Sequence, residues 1–99
     1  MDKKRDLFQI YGVILTAVSR EEETRGRAVL TGVQFRSRIP FNRFKSHLEA
    51  LKALGLVEGG GSQTYREVPL KLTEKGRKFI QLYGEILELL GWREVLQQV

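Results

Sequence analysis

Asn42, Arg43 and Ser46 are the side chains whose types and spacing best suit chemistry in this sequence, and that chemistry is recognition rather than bond-making. In a helical projection of residues 41–54 they fall on one side together with Ala50, while Phe41, Phe44, Leu48 and Leu51 define the other. Amide and guanidinium groups pair with base edges in a major groove, a hydroxyl reaches bases or phosphates, and a small alanine permits close approach. Arg36, Arg38 and Lys45 flank this face and are expected at phosphates, where they would supply sequence-independent affinity that weakens with salt. The plainer alternative for all six side chains is a solvated surface.

Catalytic chemistry finds no comparable support. The chain has no cysteine, which excludes disulfides, thiolate zinc sites and cysteine nucleophiles. His47 is the only histidine and has no evident zinc-ligand partners, so it is expected at the edge of the core. Gly59-Gly60-Gly61 lacks the Lys-Ser/Thr and the helix that a phosphate-binding loop needs. Glu21, Glu22 and Glu23 occupy adjacent polar positions rather than converging on a pocket. The expectation is a protein that is not an enzyme and takes no cofactor and no metal.

The elements that must position the recognition face follow from periodicity and breakers. Leu7, Ile10, Tyr11, Ile14, Leu15 and Val18 give residues 3–19 the spacing of a helix with one buried face. Residues 20–27 are wholly polar and contain Gly26, which reads as a solvated helix end and a connecting loop. A short second helix from about Thr31 carries Val33 and Phe35 inward and stops near Arg38, because the residue before Pro40 is pushed out of helical angles. Pro40 suits the first turn of a third helix, Pro40 to Leu54, with Gly55 as its C-terminal cap.

Leu56-Val57-Glu58 then predicts a strand, Gly59-Gly60-Gly61-Ser62 a turn at the tip of a hairpin, and Tyr65 to Leu72 the returning strand, with Pro69 at an edge or bulge. Gln63, Thr64 and Arg66, near that tip, are candidates for contacts to a nucleic-acid backbone. Thr73 is a good N-cap for a last helix with Glu74 in its first turn, and Gly91 ends or bends it.

Hydrophobic residues at 41% and charged residues at 29% describe a folded domain, and 99 residues leave room for one. No apolar run approaches the ~20 residues of a membrane span, so no membrane partner is expected and a cytoplasmic, nucleoid-associated location is. The net charge of +5 is unevenly placed: Thr24 to Leu48 holds six basic residues and no acid, whereas Gly84 to Val99 holds three glutamates against one arginine. Leu82, Tyr83, Ile86, Leu87, Leu89 and Leu90 cover more of the last helix than one small domain requires, and Trp92 extends the apolar run. A two-fold homodimer through this helix would cover the excess, as would residues 92–99 folding back.

Ile39-Pro40-Phe41-Asn42-Arg43-Phe44-Lys45-Ser46-His47-Leu48-Glu49-Ala50-Leu51-Lys52-Ala53-Leu54-Gly55-Leu56-Val57, followed by Leu70-Lys71-Leu72-Thr73-Glu74-Lys75-Gly76-Arg77-Lys78-Phe79, resembles small archaeal winged helix-turn-helix transcriptional regulators and related chromatin-type DNA-binding proteins. The resemblance spans about Thr31 to Leu90. It implies that the third helix enters the major groove, by position with Asn42, Arg43 and Ser46, and that the C-terminal helix pairs with its two-fold mate. The expected fold is mainly α with a small β-hairpin (α+β), one winged-helix domain over residues 1–99, with the helix-turn-helix at 31–54, the wing at 55–72 and the dimerisation helix region at 73–99. The expected partners are double-stranded DNA and a second copy of the chain, with a protein-interaction module or a low-specificity chromatin protein as alternatives.

Overall fold

The computed structural model describes residues 6–63 and 66–91. Four helices and two short antiparallel ladders follow one another as α1 (Leu7–Arg25), α2 (Leu30–Ser37), α3 (Phe41–Ala53), β1 (Val57–Glu58), β2 (Ser62–Gln63), β3 (Arg66–Glu67), β4 (Lys71–Leu72) and α4 (Glu74–Leu90). The fold is a mostly helical winged helix-turn-helix.

Local chemistry sets the helix ends. Asp6 caps α1 by accepting from the Phe8 N–H at 3.0 Å, and Gly26 closes it in a left-handed conformation, its N–H donating to the Glu22 carbonyl. Helix α1 therefore runs through the polar stretch to Arg25 instead of loosening after residue 19. Thr73 caps α4 as expected: its Oγ1 accepts from the Gly76 N–H at 3.0 Å and donates to the Gly55 carbonyl at 2.6 Å. One hydroxyl thus starts α4 and ties it to the end of α3.

The core gathers Ile14, Leu15 and Val18 of α1, Val33 of α2, Phe44, Leu48 and Leu51 of α3, and Leu56, Val57, Leu70 and Leu72 around the wing. Phe44 and Leu51 are fully enclosed, each contributing about 1.5–3 kcal/mol by leaving water. This packing fixes which face of α3 points outward.

Two apolar residues expected to help it do not. Phe35 is 83% exposed and Phe41 46% exposed. Phe35 lies two residues from buried Val33, about 200° around a helix and so on the opposite side. Phe41 opens α3, a turn before the packed stretch begins.

The wing also departs from the expected hairpin. β1 pairs with β4 (Val57↔Leu72, Glu58↔Lys71), and β2 pairs with β3 (Ser62↔Glu67, Gln63↔Arg66). The glycines sit between these ladders instead of at the tip, and residues 64 and 65, which join β2 to β3, lie outside the described residues. Gly59 has a φ of +87°, and a Cβ there would collide with the Pro69 carbonyl oxygen, so the bend of this strand past the opposing proline needs glycine. A single bridge, Ala28↔Leu70, with Leu70 N–H donating to the Ala28 carbonyl at 2.7 Å, fastens the wing to the α1–α2 connection.

Candidate nucleic-acid interface

The corner between α2 and α3 is held by a small set of hydrogen bonds. Ser37 Oγ donates to the Gln34 carbonyl at 2.8 Å and accepts from the Ile39 N–H at 3.2 Å, while Gln34 Nε2 donates to the Ile39 carbonyl at 2.7 Å. Between them Arg38 takes left-handed angles (φ 60°, ψ 25°), the one non-glycine residue with positive φ among the described residues. Pro40 then sets the entry to α3, accepting from the Phe44 N–H through its carbonyl at 2.8 Å.

With Phe44, Leu48 and Leu51 turned inward, α3 leaves Asn42, Arg43, Lys45 and Ser46 exposed on its N-terminal half, and Arg38 exposed at the corner beside it. Ala50 is half-buried at the far end of that face. The carboxylate of Glu49, next along the helix, lies 3.8 Å from Lys52 Nζ, so the first two turns carry positive charge with no acid among them. Lys45 Nζ sits 5.7 Å from the centroid of the Phe41 ring.

Arg36 is placed differently from its neighbours. Its Nε donates to Glu21 Oε2 at 2.8 Å, and the Glu21 side chain is only 4% exposed. Arg25 Nε stands 3.5 Å from the other oxygen, Glu21 Oε1, which has no hydrogen-bond partner. Helix α2 reaches this carboxylate because residue 32 is glycine: a Cβ there would stand 2.6 Å from Glu21 Oε1. Glu21 is thus enclosed and paired, unlike the solvated glutamate expected in this polar stretch. Charge alone could not reveal it, because the partner lies fifteen residues away.

His47 is half-buried, its ring edge-on to Tyr11 at 6.2 Å. Among the described residues no group of three His, Cys, Asp or Glu side chains is arranged to hold a metal ion, and no helix is long and apolar enough to cross a membrane. Gln63 and Arg66 face each other across the outer ladder, but their side chains, like Thr64 entirely, lie outside the described residues.

Helix α4 has two faces. Tyr83 is buried, not available to a partner as expected: its ring meets Phe8 edge-on at 5.1 Å between centroids, stacks with Phe79 at 6.3 Å and lies where a Cβ on Gly12 would be. Leu82, Ile86, Leu89 and Leu90 are exposed, by 45, 37, 82 and 58%, and Leu87 is half-buried. Trp92 lies outside the described residues.

Two helices joined by a locked corner, followed by a paired wing, define an architecture that the winged helix-turn-helix family model matches over residues 4–91. The chain belongs to the winged helix-turn-helix family. No curated protein matches this winged helix-turn-helix chain. Among solved structures it is similar to BpsR of Bordetella bronchiseptica (TM-score 0.63, 22% identity, covering 84% of this chain and 63% of that one), described for regulation of its DNA binding by 6-hydroxynicotinic acid. It is similar also to MarR of Staphylococcus aureus in complex with salicylate and kanamycin (0.63, 22%, 88% and 56%) and to NMB1585, a MarR family regulator from Neisseria meningitidis (0.57, 22%, 85% and 60%). At such identity the likeness is one of fold. The winged-helix chain spans less than two thirds of the length of each.

Proposed function

We propose that this chain is a DNA-binding transcriptional regulator that inserts α3 into the major groove of double-stranded DNA. The observation that carries the reading is the exposed face of the first two turns of α3, where Asn42, Arg43, Lys45 and Ser46 stand clear of the core with no acid among them and Glu49 follows only in the third turn. Asn42, Arg43 and Ser46 are assigned to base edges and Arg38 and Lys45 to phosphates. Arg36 is not counted with them, because Glu21 holds its Nε. The outer ladder, which pairs Gln63 with Arg66, is assigned to the backbone beside the groove, and Thr64 is proposed for the same role. The regulation of BpsR's DNA binding, a property of that protein, is consistent with this use of the fold.

The active form is assigned as a homodimer paired through the outward face of α4, where Leu82, Ile86 and Leu89 repeat at helical spacing and remain exposed. Two copies would present two α3 helices to paired half-sites. The working location is the cytoplasm, on the nucleoid.

A binding titration against random duplex DNA at two salt concentrations tests the reading, with the native chain beside the double change Arg43→Ala, Ser46→Ala. Binding that falls steeply with salt and is weakened in the variant is the expected result. No binding at low salt would overturn it and point to an acidic protein as the partner of the basic face.

A further inference from the structure

We infer that Phe41 is a specificity-determining residue that reads the C5 methyl group of a thymine, an inference that rests on α3 occupying the major groove. The ring was expected in the core, yet almost half of it faces solvent. It occupies the first position of α3, directly before Asn42 and Arg43 in sequence and on the helix side shared with exposed Lys45, and the N-terminal residues of a groove-entering helix are the ones that meet base edges. The floor of the major groove is a pattern of hydrogen-bond donors and acceptors with one apolar feature, the thymine methyl. A phenyl ring has no donor or acceptor with which to read anything else there.

Lys45 supports the assignment. One helical turn on, its ammonium stands over the ring, 5.7 Å from the centroid, so the exposed ring and a cation share one patch at the start of α3. On the proposed function Lys45 turns to a phosphate, which would uncover the ring for the bases. Phe35, the other exposed phenylalanine, lies on α2, outside the groove-entering helix, and has no such role.

The experiment is a selection from a random duplex pool with the full chain, followed by replacement of each thymine in the enriched site by deoxyuridine, which removes only the methyl group. Replacement in a single half-site should weaken native binding about fourfold, the value of one buried methyl-sized group. The same replacement should leave Phe41→Ala unaffected, its affinity being equal on the two duplexes. The deoxyuridine scan with native protein needs no variant and so stands even if Phe41→Ala folds poorly. An enriched site without thymine, a scan that finds no sensitive position, or a sensitivity that persists in folded Phe41→Ala would each overturn the assignment while leaving DNA binding intact. Absence of binding to any duplex would overturn the underlying reading and this one together.

Discussion

Replacing Glu21 by alanine should destabilise the domain and, on the proposed function, make DNA binding more sensitive to salt. The carboxylate is 4% exposed and accepts from Arg36 Nε at 2.8 Å, so truncation removes a charge-assisted hydrogen bond from an enclosed site. Enclosure on both sides would put the loss at about 3–5 kcal/mol. Arg36, however, is 37% exposed and can turn to water, which lowers the loss to about 2 kcal/mol. The Arg25 side chain, 72% exposed, adds little.

In a domain of this size that loss lowers the melting temperature by roughly 10 °C. Thermal and urea unfolding of Glu21→Ala, Arg36→Ala and the double variant measure it, and the double variant should lose little more than either single one. In Glu21→Ala the released guanidinium becomes available to a phosphate, so the slope of log affinity against log salt should steepen by about one, and return in the double variant. A melting temperature unchanged within about 2 °C, or single losses that simply add, would refute the assignment of this ion pair.

Two glycines give a paired prediction. Gly12→Ala would drive a Cβ into the Tyr83 ring and should lower stability by about 1 kcal/mol, overpacking exceeding the gain in helix propensity, whereas Gly84→Ala, with open space around its added carbon, should raise it by about 0.5–1 kcal/mol; urea midpoints that move in the same direction would contradict the packing described. Ile86→Glu with Leu89→Glu should convert the proposed dimer to monomer in sedimentation equilibrium while leaving the helical circular dichroism unchanged, because both side chains lie off the core.

How much of this was legible in the sequence depended on how local the cause was. Thr73 and Gly91 mark their helix ends through their own hydroxyl or backbone chemistry, and the structure places both where those properties predict, whereas Pro40, expected in the first turn of α3, stands one residue before it as the N-cap. Phe44, Leu48 and Leu51 follow helical periodicity into the core. Phe35 and Phe41 do not, because Phe35 lies about 200° around α2 from buried Val33 and the first turn of α3 stands clear of the packed interior.

The Glu21–Arg36 pair and the Gly12–Tyr83 contact are long-range juxtapositions, and nothing near either residue announces them. In the wing, the run of glycines suggested a tip, whereas strand pairing resumed beyond it. Asn42, Arg43, Lys45 and Ser46 were legible as an exposed set because they are simply what remains when the apolar stripe of α3 is removed.

The left-handed corner at Arg38 sets protein engineering against function. An L-residue with a side chain in that conformation forgoes about 1 kcal/mol or more that glycine would not, so Arg38→Gly is a place where the fold can be made sturdier by removing a side chain. On the proposed reading the same change takes a cation from the edge of the DNA-facing surface. The domain thus holds a reserve of stability that only a chain relieved of DNA binding could use, and a variant optimised for thermal endurance alone would drift toward a firm scaffold with a weaker grip.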